Sequence, residues 1–237
     1  MNLLAFDTST DALSIALGAP LGSAAPLEHH GAGGAHSSAS LIPAVLALLA
    51  QRGLAVADLD AVVFGCGPGS FTGLRTACAV AQGLAFGAGL PVLPVETLMA
   101  VAEQALERTG ATEVLALLDA RMDEVYAAHY VFGADGRWQR QGPVVLRSPE
   151  QLQRPPGAAV AGNVLGPYAG RLDALGPIEA AVPTAAALLR LAPALLAAGQ
   201  GRPADEALPL YVRDKVAQTT EERAATRSAL AQARMAP

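Results

Sequence analysis

An α/β fold made of two halves built to one plan is what this sequence predicts, and three observations predict it. Residues 3–18 read LLAFDTSTDALSIALG, and residues 114–130 read VLALLDARMDEVYAAHY. Each is an apolar run, an acidic turn and a second run, and one common offset carries Asp7 onto Asp119, Asp11 onto Asp123 and Leu13 onto Val125. Two matching hairpins half a chain apart point to duplication. Second, Ala61-Val62-Val63-Phe64 is a short β-branched run that passes through a glycine-rich turn into a helical pattern, the order of a parallel α/β unit. Third, the 237 residues are 52% hydrophobic but only 4% aromatic. Alanine makes up much of that fraction, so closely packed helices should supply the layers.

Taken in order, the first hairpin spans 3–18, where alternating Leu13, Ile15 and Leu17 carry the period of a half-buried strand. A linker with His29, His30 and several glycines follows, then a helix over 37–52. A strand at 61–65 leads through the glycine turn to a helix over 71–87, for which Ser70 or Thr72 supplies the cap. A strand at 91–95 and a helix from Thr97 to about Arg108 close the first half. The second half opens with its hairpin at 114–130 and is then broken by Pro143, Pro149, Pro155 and Pro156. A strand at 158–161, a helix at about 184–198 and a final strand near 208–213 complete it. The domain expectation is therefore 1–108, 109–213 and an exposed tail over 214–237, in which Thr220-Glu221-Glu222 is the one capping pattern.

Residues 65–75, GCGPGSFTGLR, have the outline of a phosphate loop without its chemistry. A P-loop needs a lysine directly after its last glycine to reach the phosphates. Here Leu74 and Arg75 follow Gly73, and the only lysine of the chain is the distant Lys215. The motif residues Gly67, Gly69, Ser70, Thr72, Gly73 and Arg75 nevertheless form the chain's most distinctive cluster. Serine hydrolysis fits poorly, because Thr72 stands where a Gly-x-Ser-x-Gly elbow needs its final glycine.

Composition narrows the remaining classes. A net charge of −5 with scattered arginines argues against strong tRNA or DNA binding by this chain alone. No run reaches the ~18 uncharged apolar residues of a membrane span. The start lacks the basic region of a signal peptide. Two cysteines, Cys66 and Cys78, make no disulfide framework, and a reducing cytoplasm is the expected compartment.

Two halves that each open with an acidic-turn hairpin resemble the actin/hexokinase/Hsp70 (ASKHA) fold, the second half shorter and degenerate. Within it, FDTST at 6–10, GPGSFTGLR at 67–75, Gln82-Gly83-Leu84-Ala85, LDARMDEVY at 118–126 and Leu210-Tyr211-Val212-Arg213 resemble the TsaB (YeaZ) family over about residues 1–216. An arginine is common in that family where this chain has Cys66. The resemblance implies a non-catalytic subunit of the system that makes N6-threonylcarbamoyladenosine on tRNA. Its implied partners are a TsaD-like catalytic homologue, which carries the metal and the transferase site, and a TsaE-like ATPase; an isolated copy is expected to form a homodimer. The alternative is an independent ATPase or small-molecule kinase of the same fold.

The residues themselves are consistent with lost catalysis. His36 precedes the first helix but position 40 is Ser40, so the His-x-x-x-His pair of a metal site is absent there. His129 reads as a half-buried strand residue, and Glu96, Glu103 and Glu107 as solvated charges on a helical face. The turn carboxylates Asp7, Asp11, Asp119 and Asp123 are retained. Yet the late turn Val160-Ala161-Gly162-Asn163 has one glycine where an adenosine-covering turn has two. No cofactor and no metal are expected, with at most weak ATP or ADP binding. What remains is a surface: LIPAVLALLA at 41–50 is apolar all round its helix and needs cover on two sides. The expected partner interface joins Leu41, Val45 and Leu48 to the small-residue stripe Gly73, Ala77 and Ala81.

Overall fold

The computed structural model describes residues 1–19 and 24–213; Lys215, the tail over 214–237 and its capping pattern lie outside them. The first sheet comprises β1 (Leu3–Asp7), β2 (Ala12–Gly18), β3 (Leu27–Ala32), β4 (Ala61–Gly67) and β5 (Val92–Glu96), in the order β3-β2-β1-β4-β5. The second is built mainly from β6 (Glu113–Asp119), β7 (Val125–Phe132), β8 (Trp138–Arg140), β10 (Ala159–Gly162) and β11 (Ile178–Ala180), in the order β8-β7-β6-β10-β11, with β9 (Val145–Arg147) also paired to β7. In each sheet the opening hairpin is antiparallel and the last two strands join it in parallel. The same order and the same pairing sense occur twice. That is the duplicated ASKHA-type plan, and it puts Asp7 and Asp119 at the equivalent ends of β1 and β6.

Among the described residues four α-helices pack on these sheets: α1 (Ser37–Arg52), α2 (Phe71–Ala88), α3 (Thr97–Thr109) and α4 (Ala185–Ala197). Local sequence sets their limits. α1, α2 and α3 stop at Gly53, Gly89 and Gly110, whose φ of 64°, 68° and 75° provide left-handed termini. The α4 N-terminus is capped by the Thr184 hydroxyl, which accepts the Ala187 N–H at 3.2 Å. α3 and α4 follow the equivalent strands β5 and β11, and each packs on the other half's sheet, α3 on β6 and α4 on β1. A single core therefore joins Leu3, Ala5 and Val63 of one sheet to Val114 and Ala116 of the other through Leu98, Val101 and Leu188.

α1 and α2 lie side by side on the opposite face of the first sheet, over Leu4, Phe6, Leu13 and Ile15. Among the described residues the second sheet has no counterpart of this helix pair. Its outer face is covered by loop residues, including Leu152, Val164, Tyr168 and Leu175, which is how the second half comes to be shorter.

Several expectations need correction. The stretch around His29 and His30 is not a linker but the edge strand β3, paired to β2 with both histidines exposed. Residues 208–213 form no strand; they run as an extended strap held by single contacts. Glu103 is not solvated. It is buried, accepting the Trp138 indole N–H at 2.9 Å and the Arg190 Nε–H at 2.8 Å, and so ties α3 to β8 and α4. Glu96 closes β5 rather than lying on a helical face, and it accepts the Tyr130 hydroxyl at 2.7 Å. His129 is half-buried as expected and pairs with Glu113 at 2.9 Å.

The helical surface needs the largest correction. Leu41, Val45, Leu48, Gly73, Ala77 and Ala81 all face the chain's own sheet and are buried in the single molecule. Burial of a Leu or Val side chain contributes ~1.5–3 kcal/mol to folding, so this row is committed to the internal core. The outward row is another one. On α1 it is Ile42 (43% exposed), Pro43, Leu46 (51%) and Ala47; on α2 it is Ala79, Gly83 and Phe86 (80%).

Candidate functional site

The two acidic turns face each other across a cleft of about 260 Å³ lined by Ser9, Thr10, Asp11, Asp119, Arg121 and Asn163, among others. Its first wall is the β1–β2 turn. Asp7 ends β1 and is buried, with Oδ1 accepting the Ser9 N–H at 2.9 Å and the Ser9 hydroxyl at 2.7 Å. Its Oδ2 has no hydrogen-bond partner and lies where a Cβ on Gly65 would fall within 1.8 Å. Burial pushes the Asp7 carboxyl up to about 6, against the lowering effect of the Ser9 bonds. Asp7 is thus turned into the base of β4 rather than toward the cleft.

This predicts a pH dependence with a definite sign. An acid whose folded-state pKa is raised binds its proton more tightly when folded. Its favourable contribution is complete below the ordinary carboxylate range and is lost as pH rises through about 6. Asp7→Asn keeps an acceptor for Ser9 and removes the charge. Between pH 4 and pH 8 the parent should lose about 2–3 kcal/mol of stability relative to this variant. Urea unfolding of both proteins across that range checks it, and a constant difference contradicts it.

The second wall is the β6–β7 turn, where carboxylates meet internal partners. Asp119 accepts the Arg121 N–H and the Tyr168 hydroxyl, both at 2.8 Å, and its Oδ2 lies 3.2 Å from Arg121 Nη1. The same guanidinium reaches across the cleft to Asp11. Asp123 pairs with Arg171 at 2.6 Å. Asn163, at the end of β10, turns its Oδ1 to accept the Asp119 N–H at 2.8 Å. Arg121 therefore sits between the two acidic turns as a built-in cation. The fit to a metal-bound triphosphate is poor: Asp7 faces inward, and the Arg121 guanidinium stands between Asp11 and Asp119.

The glycine turn is shaped by the chain itself. Ser70 caps α2, and its N–H donates to Ser9 O at 2.7 Å; Thr72 lies exposed in the first helical turn. The Thr8 hydroxyl donates to Gly73 O at 2.7 Å, and a Cβ on Gly73 would fall 1.8 Å from Thr8 O. Gly69 likewise admits the Ser9 backbone. Gly67 has φ 126°, and a Cβ there would lie 2.6 Å from Leu210 O. These glycines exist because backbone approaches from two sides. Arg75 stacks 3.9 Å from the Phe71 ring centre and donates through Nε to the Tyr211 hydroxyl at 3.0 Å. The motif thus gathers Gly67, Gly69, Ser70, Gly73 and Arg75 around Thr8, Ser9 and the strap.

Cys66, the position noted for its departure from the family pattern, ends in this region, and burial pushes its thiol up to about 12. Cys78 is raised by burial too, and its Sγ–H donates to Ala207 O at 3.1 Å. Neither is poised as a thiolate nucleophile. Among the described residues no three His, Cys, Asp or Glu side chains converge as a metal-binding group. Likewise, among them no helix is long and apolar enough to cross a membrane. Sequence reasoning missed the bridging role of Arg121 and the grip of Arg213 on the second turn; the Arg121 bridge to Asp11 spans 110 positions and the Arg213 bond to Glu124 spans 89, separations for which local spacing carries no signal.

The family described as TsaD: tRNA N6-adenosine threonylcarbamoyltransferase matches residues 30–162. The Escherichia coli K12 tRNA threonylcarbamoyladenosine biosynthesis protein TsaB is 35% identical over 92% of this chain and 96% of its own length. The Haemophilus influenzae protein of the same name is 40% identical over 64% of this chain and 66% of its own. Among solved structures, YeaZ from Pseudomonas aeruginosa is 37% identical and superposes with a TM-score of 0.78, covering 89% of this chain and 99% of that one.

Proposed function

This chain belongs to the TsaB (YeaZ) family of tRNA threonylcarbamoyladenosine biosynthesis proteins, and on that premise we propose that it is a non-catalytic subunit that binds and activates a TsaD-like threonylcarbamoyltransferase. The uncovered apolar face of α1 and α2 is the observation that carries this reading. Ile42 and Leu46 on one helix and Phe86 on the other are left exposed by the described residues. Gly83 stands in the middle of α2 with nothing within 4 Å of where a Cβ would be. A mid-helix glycine costs about 1 kcal/mol relative to alanine, and no contact among the described residues offsets it. Close approach by a partner helix gives that glycine a reason.

The absence of independent catalysis is supported by how the acidic turns are used. Arg121 holds the charge between Asp11 and Asp119, and Asp7 is buried against β4. A group that must receive a metal-bound phosphate is poorly served by carboxylates already paired. We therefore read the chain as working without a cofactor of its own. A TsaE-like ATPase joins the assembly, an isolated copy pairs with itself through the same face, and tRNA is held mainly by other subunits in the cytoplasm.

Reconstitution tests the proposal. The purified chain alone should transfer no threonylcarbamoyl group to tRNA. Added to a TsaD-like subunit and the ATPase in stoichiometric amount, it should raise product formation at least about tenfold, an effect of the size of one strong coupling between subunits. Turnover by the chain alone, or no effect of adding it, contradicts the reading.

A further inference from the structure

We propose that residues 207–213 are an internal clamp that holds the two halves of the molecule at one opening of the cleft. The clamp has two grips. On the first half, Ala207 O accepts the Cys78 Sγ–H at 3.1 Å and the Gln82 side-chain amide at 2.9 Å. Leu210 N–H donates to Cys66 O at 2.7 Å. Tyr211 lies against Phe71 with ring centres 5.6 Å apart and accepts the Arg75 Nε–H at 3.0 Å. On the second half, Arg213 donates through Nη2 to Glu124 Oε2 at 2.6 Å and to Ala120 O at 3.1 Å, and its Nη1 meets Met122 Sδ at 3.0 Å.

The turn that Arg213 grips needs holding. Arg121, Met122 and Asp123 have φ of 60°, 55° and 64°, three successive non-glycine residues in the left-handed region. Such residues persist where the surroundings over-determine them. Arg213 binds the carbonyl that leads into the turn and the Glu124 carboxylate that follows it. The guanidinium is largely shielded, its side chain 14% exposed, so these charge-assisted bonds are little weakened by water.

The two grips are joined without slack. Tyr211 and Arg213 are two residues apart, and two residues span at most ~7 Å when fully extended. Any widening of the cleft mouth must break one grip or the other. The remaining link across the mouth, Arg121 to Asp11, is exposed on both sides and contributes little by itself. The glycine motif gains a second purpose from this: Gly67 leaves the space through which the Leu210 carbonyl passes.

Hydrogen exchange followed by mass spectrometry on the full chain tests the clamp, using Tyr211→Ala, Arg213→Ala and the double variant. Tyr211→Ala, which removes the Phe71 and Arg75 contacts and leaves the Leu210 and Ala207 bonds in place, should speed exchange in the second-half turn, residues 119–125, several-fold, and Arg213→Ala should do the same at residues 67–73 of the first half. Because the grips act in series, the double variant should exchange no faster than Arg213→Ala at 119–125 and no faster than Tyr211→Ala at 67–73. Arg171→Ala is the control. It removes a contact to the same turn from within the second half, so it should loosen 119–125 and leave 67–73 unchanged. Should Arg213→Ala lower the melting temperature of the whole fold, Arg213→Gln, which keeps the stem and a donor, takes its place. Tyr211→Ala leaving 119–125 at the parental rate, or effects that simply add in the double variant, would reduce the strap to local packing.

Discussion

A chain carrying Leu46→Arg together with Phe86→Arg is expected to fold as the parent does and to lose its proposed partner. Both side chains are outward, Leu46 at 51% and Phe86 at 80% exposure, so neither substitution opens a cavity or buries a charge in the free molecule. Surface changes of this kind usually move stability by less than about 0.5 kcal/mol. In a helix–helix contact the same two arginines are desolvated without partners, one on each helix. Central interface positions commonly cost 2 kcal/mol or more each when spoiled, so pairing with a TsaD-like subunit should weaken at least about 100-fold. Co-purification and sedimentation with that subunit, with a thermal melt as the folding check, give the answer. Self-association of the isolated chain should fall with it, since an isologous dimer presents the same patch twice. Undiminished pairing places the contact elsewhere. Arginines at Val45 and Ala77 make no such test, because both positions are fully buried and a charge there attacks the core.

The composition of α1 hides which of its rows faces the sheet. A helix face is assigned by contrast between apolar and polar rows, and residues 41–50 offer almost none. Leu41-Val45-Leu48 and Ile42-Leu46-Leu49 are equally apolar; only the direction of approach to the sheet puts the first row, with Leu49, inside. The same holds for α2, where Gly73, Ala77 and Ala81 are legible as a close-packing stripe but not as a stripe facing β4. Elements with strong local signals were read well: the two hairpins, α1 from Ser37 to Arg52, and the glycine turn into α2. β3 was missed because an edge strand exposed on both faces has no alternation to show. β8 and β11, three residues each, are too short to carry a period. Glu103 looked solvated because its partners, Trp138 and Arg190, come from other elements. The cleft was legible as a pair of acidic turns; that Arg121 would neutralise them was not, since that depends on how two hairpins meet in space.

The same substitution at two glycines of α2 should have opposite consequences, which separates the part of that helix that folds the chain from the part left for something else. Gly73→Ala puts a methyl carbon 1.8 Å from the Thr8 carbonyl oxygen, well inside contact distance, and the obstacle is backbone rather than a side chain that can swing away. Relief requires α2 to withdraw from the β1–β2 turn. That breaks the Thr8 hydroxyl bond to Gly73 O and the Ser70 N–H bond to Ser9 O, and it pulls Ala77 and Ala81 off the sheet. A loss of about 4 kcal/mol or more is expected, in the range reserved for strain and broken packing. Gly83→Ala meets nothing within 4 Å. It removes backbone freedom from the unfolded chain and should stabilise the protein by about 0.4–1 kcal/mol. Denaturant unfolding of both variants measures the difference directly. If Gly83→Ala also weakens pairing while it strengthens the fold, the glycine is there for close contact with a neighbour. If Gly83→Ala destabilises the free chain, or Gly73→Ala is tolerated, the division of α2 into an inward and an outward row is wrong.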